Sequence, residues 1–179
     1  MKQLAFAVVI CVAFAARATV LVPLDTKALT ERAERVVLGT VESETARWTA
    51  DHQAIYTDVT IRVTRVYKGA VKPGERVVVR REGGVLDGMG MRVYGAASFT
   101  VGEEVVVFTE TRGNAAWTVG MTQGKLRVVT GTDGVKRVSA AMGDVAFTRP
   151  GGAGTQALSQ PRRLEDFERE VRSYVKAPQ

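Results

Sequence analysis

Residues Ile55 to Lys68 constrain the fold of this chain more than any other stretch. Thr57, Val59, Ile61 and Val63 alternate with Asp58, Thr60, Arg62 and Thr64. An extended strand with one apolar and one polar face follows from that period of two. Past Val63 the alternation slips, so that Arg65 falls on the apolar side and Val66 on the polar side. One extra residue near Thr64-Arg65 restores the pattern, and such a bulge is how small barrels bend their long strands.

Shorter β-branched runs flank this strand. Val36-Val37-Leu38-Gly39-Thr40-Val41 reads as a buried strand, and Gly39 within it marks a bulge or a close backbone approach. Trp48 to Gln53 is polar and turn-like. Lys72-Pro73-Gly74-Glu75 forms a turn into a strand at Val77–Val79. Gly83-Gly84 and Asp87-Gly88 bracket a hairpin that continues into a strand at Met91–Tyr94. Further strands are expected at Val105–Phe108, Trp117–Met121 and Leu126–Val129, with Val135–Val138 following the Asp133-Gly134 turn. Asp25 to Glu34 reads as a short helix capped by Asp25 or Thr26. Leu164, Phe167, Val171, Tyr174 and Val175 mark one face of an amphipathic helix, with Glu165–Arg169 and Glu168–Arg172 on the opposite side. Regular short strands with bends and scattered glycines describe a mainly β fold, a small β-barrel of six to eight strands. A short N-terminal helix and a C-terminal amphipathic helix flank it.

The first eighteen residues read differently. Lys2 leads into an apolar run from Leu4 to Ala15, which ends in Ala16-Arg17-Ala18. This is the organisation of a Sec-type signal peptide, with the mature chain expected to begin at Thr19. A membrane span needs ~20 apolar residues, more than this run supplies. Ile10 before Cys11 is not the small residue of a lipobox. The expected location is therefore the periplasm or the extracellular medium, with membrane contact only during export. The expected organisation is a signal peptide over 1–18 and a barrel with its helix over 19–149. A Gly-rich linker over 150–160 and a C-terminal helix over 161–179, packed on the barrel, complete it. The rival reading makes that last helix a docking element.

Cleavage at Ala18 removes Cys11, the only cysteine, and leaves one histidine, His52. Hydrophobic packing and sheet hydrogen bonds must then hold a domain of roughly 160 residues. The positive charge of +6 is spread along the chain rather than gathered into a basic stripe, which argues against a nucleic-acid partner.

Three segments carry a resemblance. These are the strand Val36–Val41 with its Gly39-Thr40-Val41, the strand Val63–Gly69 ending in Lys68-Gly69, and Phe99-Thr100-Val101-Gly102-Glu103-Glu104 leading into Val105–Phe108. In this order they resemble the netrin-like and tissue-inhibitor-of-metalloproteinases type of OB-fold barrel. The chain is also similar to a group of uncharacterised exported bacterial proteins with the same order of segments, in which Ile55–Asp58 and Val119–Lys125 have counterparts. The resemblance covers roughly residues 35–130 and implies an OB-like barrel. Animal inhibitors of that type ligate the target's zinc through a disulfide-tied N-terminal cysteine. The expected mature chain has no cysteine, so that chemistry does not carry over.

Catalytic signatures are sparse. His52 is the only imidazole for a serine triad, no G-x-S-x-G occurs, and Gly83–Gly90 lacks the G-K-[ST] ending of a phosphate loop. Met89, Met91 and Met121 read as core methionines rather than copper ligands. Glu103 and Glu104 point to opposite faces of a strand and read as solvated turn-end charges. No catalytic residue, metal or cofactor is assigned. OB-type barrels bind on a strand face and its loops, and the candidate binding residues there are Trp48, His52, Tyr56, Arg62, Arg65, Tyr94 and Trp117. The expected function is an exported, non-catalytic interaction module with a protein partner, a secreted protease among them, or a surface polymer. The alternatives are a small secreted hydrolase using carboxylates such as Glu103, Glu104, Glu82, Asp87 or Asp58, and a structural accessory of an envelope complex.

Overall fold

The computed structural model describes residues 20–140, 146–147 and 160–175. The expected signal peptide with its expected cleavage site, Cys11 and residues 150–159 of the expected linker lie outside the described residues. No helix among the described residues is long and apolar enough to cross a membrane.

The strands are β1 (Val20–Leu21), β2 (Arg35–Trp48), β3 (Ile55–Lys68), β4 (Arg76–Glu82), β5 (Gly84–Leu86), β6 (Met89–Met91), β7 (Glu104–Arg112), β8 (Ala115–Thr118), β9 (Lys125–Thr130), β10 (Lys136–Ala140), β11 (Ala146–Phe147) and β12 (Arg162–Arg163). Among the described residues, two α-helices, α1 (Thr26–Arg32) and α2 (Leu164–Tyr174), and a 3₁₀ turn at Met121–Gly124 accompany the strands. Eight strands make one mixed sheet in the order β12-β10-β9-β7-β2-β3-β4-β8. Strand β8 also pairs with β7, antiparallel, and meets β4 through one parallel bridge, Arg80 to Trp117. The fold is mainly β, as expected.

The alternation of β3 survives intact, with Ile55, Thr57, Val59, Ile61 and Val63 buried. Its register against β2 runs Gly39 to Val63 and then Leu38 to Arg65, so Thr64 is the unpaired residue that the slip in pattern requires. Gly39 sits opposite this bulge. A Cβ there would collide with the Arg62 carbonyl and lie 2.7 Å from Ile61 Cγ2, so close approach of two backbones excludes any side chain.

Both faces of β2 and β7 are covered. Val36, Leu38, Val106 and Phe108 face a core shared with Leu29 of α1 and Leu164, Phe167 and Val171 of α2. Val37, Val41, Val105 and Val107 face a second core with Val59, Ile61, Val63, Val77, Val79 and Phe99. The β-branched run Val36–Val41 is thus a strand buried on two sides.

Side-chain hydrogen bonds and ion pairs fix the helices. Asp25 accepts the Ala28 N–H at the start of α1, and Lys68 Nζ donates to the Thr30 and Glu31 carbonyls at its end. Glu168 of α2 accepts hydrogen bonds from both Arg65 and Tyr67 of β3, and Arg162 ion-pairs with Glu170. The apolar face of α2 is therefore part of the core.

Some boundaries differ from expectation. Strand β2 runs on to Trp48, which is its last residue rather than the start of a turn. The strand placed at Met91–Tyr94 lies at Met89–Met91, because Asp87 and Gly88 both adopt positive φ and close a two-residue hairpin loop. The strand expected to reach Met121 stops at Thr118. Gly120 and Met121 both turn left-handed there, and Leu24 packs against Gly120.

Candidate functional site

Two hairpin ends meet at Trp48. The β2–β3 loop is tightened by Thr49, whose hydroxyl donates to Asp51 and whose N–H reaches the Ala54 carbonyl. His52 in that loop has φ 55°, and its ring stacks on Trp48 with centroids 6.0 Å apart. The neighbouring β5–β6 hairpin lies over the ends of β2 and β3. Gly84 leaves no room for a side chain beside Thr57, Ile55 and Ala46, and Thr57 Oγ1 donates to the Gly83 carbonyl at 2.7 Å. Its tip residue Asp87, φ 53°, accepts a hydrogen bond of 3.2 Å from Trp48 Nε1. One indole therefore ties both tips together. Val85 and Met89 on the β5–β6 hairpin are 74% and 54% exposed. Met89 is thus a surface residue, which corrects its reading as core. Met91 is half-buried, and its sulfur accepts the Ile55 N–H.

The polar face of β3 carries a different arrangement. The register aligns Asp58, Arg80, Trp117 and Glu110 in one row across β3, β4, β8 and β7. Arg80 donates twice to Asp58, at 2.7 and 3.0 Å, and its guanidinium lies 3.9 Å from the Tyr56 ring centroid. Arg47 is 3.7 Å from the same carboxylate. Asp58 also pushes the Arg80 pKa upward, first through its hydrogen bond. Tyr56 and Trp117 therefore border one locked Arg80–Asp58 pair. Trp48, opposite Ile55 in register, belongs to the other face of the ribbon.

The remaining candidates lie apart. Arg62 shares Glu42 with Arg76, and Glu42 occupies the position where the β2–β3 register shifts. Arg65 is bonded to Glu168 of α2 at 2.6 Å, which makes it a strap between strand and helix. Tyr94 follows β6 and has the Arg92 guanidinium 5.3 Å from its ring centroid.

The carboxylates considered for hydrolysis are spread over the sheet. Glu103 is the unexpected one. Its side chain is only 6% exposed and that of Lys125 only 3%, and the two form a buried ion pair at 2.6 Å. Arg127 adds a second contact at 3.0 Å, and the Lys125 ammonium lies 5.5 Å from the Phe99 ring centroid. The reading of Glu103 as a solvated turn charge is therefore corrected, since its side chain falls on the covered face of the strand. Glu104, on the other face, pairs with Lys136. Burial pulls the Lys125 pKa below its usual value, with Glu103 opposing that shift. No group of three or more His, Cys, Asp or Glu among the described residues is placed to hold a metal ion.

No protein-family model matches the chain, and no curated protein matches it as a relative.

Proposed function

We propose that this protein is an exported, non-catalytic interaction module built on an OB-like barrel, and that it binds a protein partner through the joined tips of the β2–β3 and β5–β6 hairpins. The observation that carries the reading is the Trp48–His52 stack, tied through Asp87 to the hairpin that exposes Met89. Tryptophan and methionine are enriched at protein interfaces, and aromatic anchors on rigid supports supply most of their binding energy. The Trp48–Asp87 bond supports that rigidity, because it reduces the side-chain freedom lost on binding. The pairings β2–β3, β3–β4, β4–β8, β8–β7 and β7–β2 return to their starting strand, which supports a closed five-stranded barrel. Export rests on the organisation of residues 1–18. A secreted protease is the partner class suggested by the resemblance, and a surface polymer is the competing one.

The test is cell fractionation with N-terminal sequencing, followed by chemical cross-linking in the native host. The reading expects an exported chain beginning at Thr19 and a discrete cross-linked protein that disappears in Trp48→Ala. A cytoplasmic, unprocessed chain would refute export. A partner retained in full by Trp48→Ala would refute the site.

A further inference from the structure

The charge of the joined tips opposes that of the chain. The protein carries a formal charge of +6, yet the two acidic side chains of these tips are Asp51 and Asp87. Asp51 accepts hydrogen bonds from the Thr49 hydroxyl and the Gln53 N–H, and Asp87 accepts one from the Trp48 indole. Among the described residues neither forms an ion pair. The hydrogen bond from Thr49 holds the Asp51 carboxyl below the usual carboxylate range, so it is ionised throughout the neutral range. Arg47, the nearest arginine in β2, is turned to the other face and engaged with Asp58. Carboxylates therefore flank the Trp48–His52 stack and exposed Met89, while Val85 pairs with Gly90 and points to the opposite face of the hairpin.

A surface of this kind suits one occupant by charge complementarity. We infer that the partner presents a loop or strand with an apolar side chain next to a lysine or arginine. The apolar group covers Met89, and the cation lies between the indole–imidazole stack and the carboxylates. An aromatic face attracts a cation, and ionised acceptors give the stronger hydrogen bonds. Anionic polymers are repelled by the same two carboxylates. The inference rests on the proposed docking role of the tips and adds the chemistry of the partner.

The probes are three octapeptides, each with a central leucine flanked by arginine, serine or glutamate. Their binding to the full chain is read by the fluorescence of Trp48 in a Trp117→Phe background. The arginine peptide should bind at least about tenfold more tightly than the glutamate peptide, and salt should weaken it. Asp51→Asn with Asp87→Asn should remove that preference, while circular dichroism checks that the fold is kept. Equal binding of the three peptides, binding to none, or a preference unchanged in the double variant would overturn the inference. A photoreactive residue in place of Met89 separates this failure from failure of the docking role. If it cross-links the native partner while the peptides fail, the tips are the docking site and the cationic chemistry is wrong. If the native partner is captured elsewhere, the docking role itself is wrong.

Discussion

The ring of Phe167 meets that of Phe108 edge-on, with centroids 6.2 Å apart and planes at 83°. Both side chains are fully buried, one from α2 and the other from β7. Phe167→Ala should cost about 3–5 kcal/mol, because the lost transfer energy is joined by a cavity that rigid β7 cannot fill. Urea unfolding checks this. A cost below about 1 kcal/mol would mean that α2 is not part of the core.

The buried Glu103–Lys125 pair offers a test of whether charge or shape matters there. Glu103→Gln leaves the Lys125 ammonium buried without its counter-charge, and a loss of about 3–5 kcal/mol is expected. Combining it with Lys125→Met should recover much of that loss, since the orphaned charge is gone. Denaturant midpoints of the two variants decide the matter. A double variant less stable than the single one would contradict the account.

Tyr67 should govern part of the alkaline limit. Burial pushes its hydroxyl well above the ordinary value of 10.0, and its hydrogen bond to Glu168 adds to the shift. The unfolded chain therefore loses this proton first. The stability contributed by neutral Tyr67 is intact below about pH 10 and falls as the pH rises further. Lys125 acts in the opposite sense, because its lowered folded pKa makes stability rise with pH toward its unfolded value. It does so equally in both proteins of the comparison. Tyr67→Phe should show a shallower loss of stability above about pH 10 than the parent, measured by unfolding across pH 8–11.

Gly39→Ala should destabilise by about 1–3 kcal/mol, because the added methyl meets the Arg62 carbonyl and Ile61. Thermal unfolding measures it. An unchanged midpoint would mean that the β2–β3 ribbon can part at its bulge without cost.

The parts of the fold that can be read from sequence are those where local pattern and tertiary burial agree. The alternation of β3 and its slip at Thr64-Arg65 locate both a strand and its bulge, because burial of one face enforces a period of two. The spacing of Leu164, Phe167 and Val171 likewise marks the buried stripe of α2. Glu103 and Lys125 stand outside this logic. They are 22 residues apart and meet only because β7 pairs with β9. Of the binding candidates, Trp48 and His52 come together because they flank a short loop. The contribution of Asp87 depends on how the β5–β6 hairpin folds over the sheet, which no local signal conveys. Arg65 looks available in sequence because its partner Glu168 lies 103 residues away.

The core shared by α1 and α2 has a consequence for how the chain can be delivered. Leu29 in α1 and Phe167 and Val171 in α2 are more than a hundred residues apart in sequence, yet all three occupy one cluster. A chain emerging residue by residue from a ribosome cannot seal that cluster until α2 is released. Until then Leu29, Val36 and Phe108 lack their cover, so the fold locks only once α2 is free to pack.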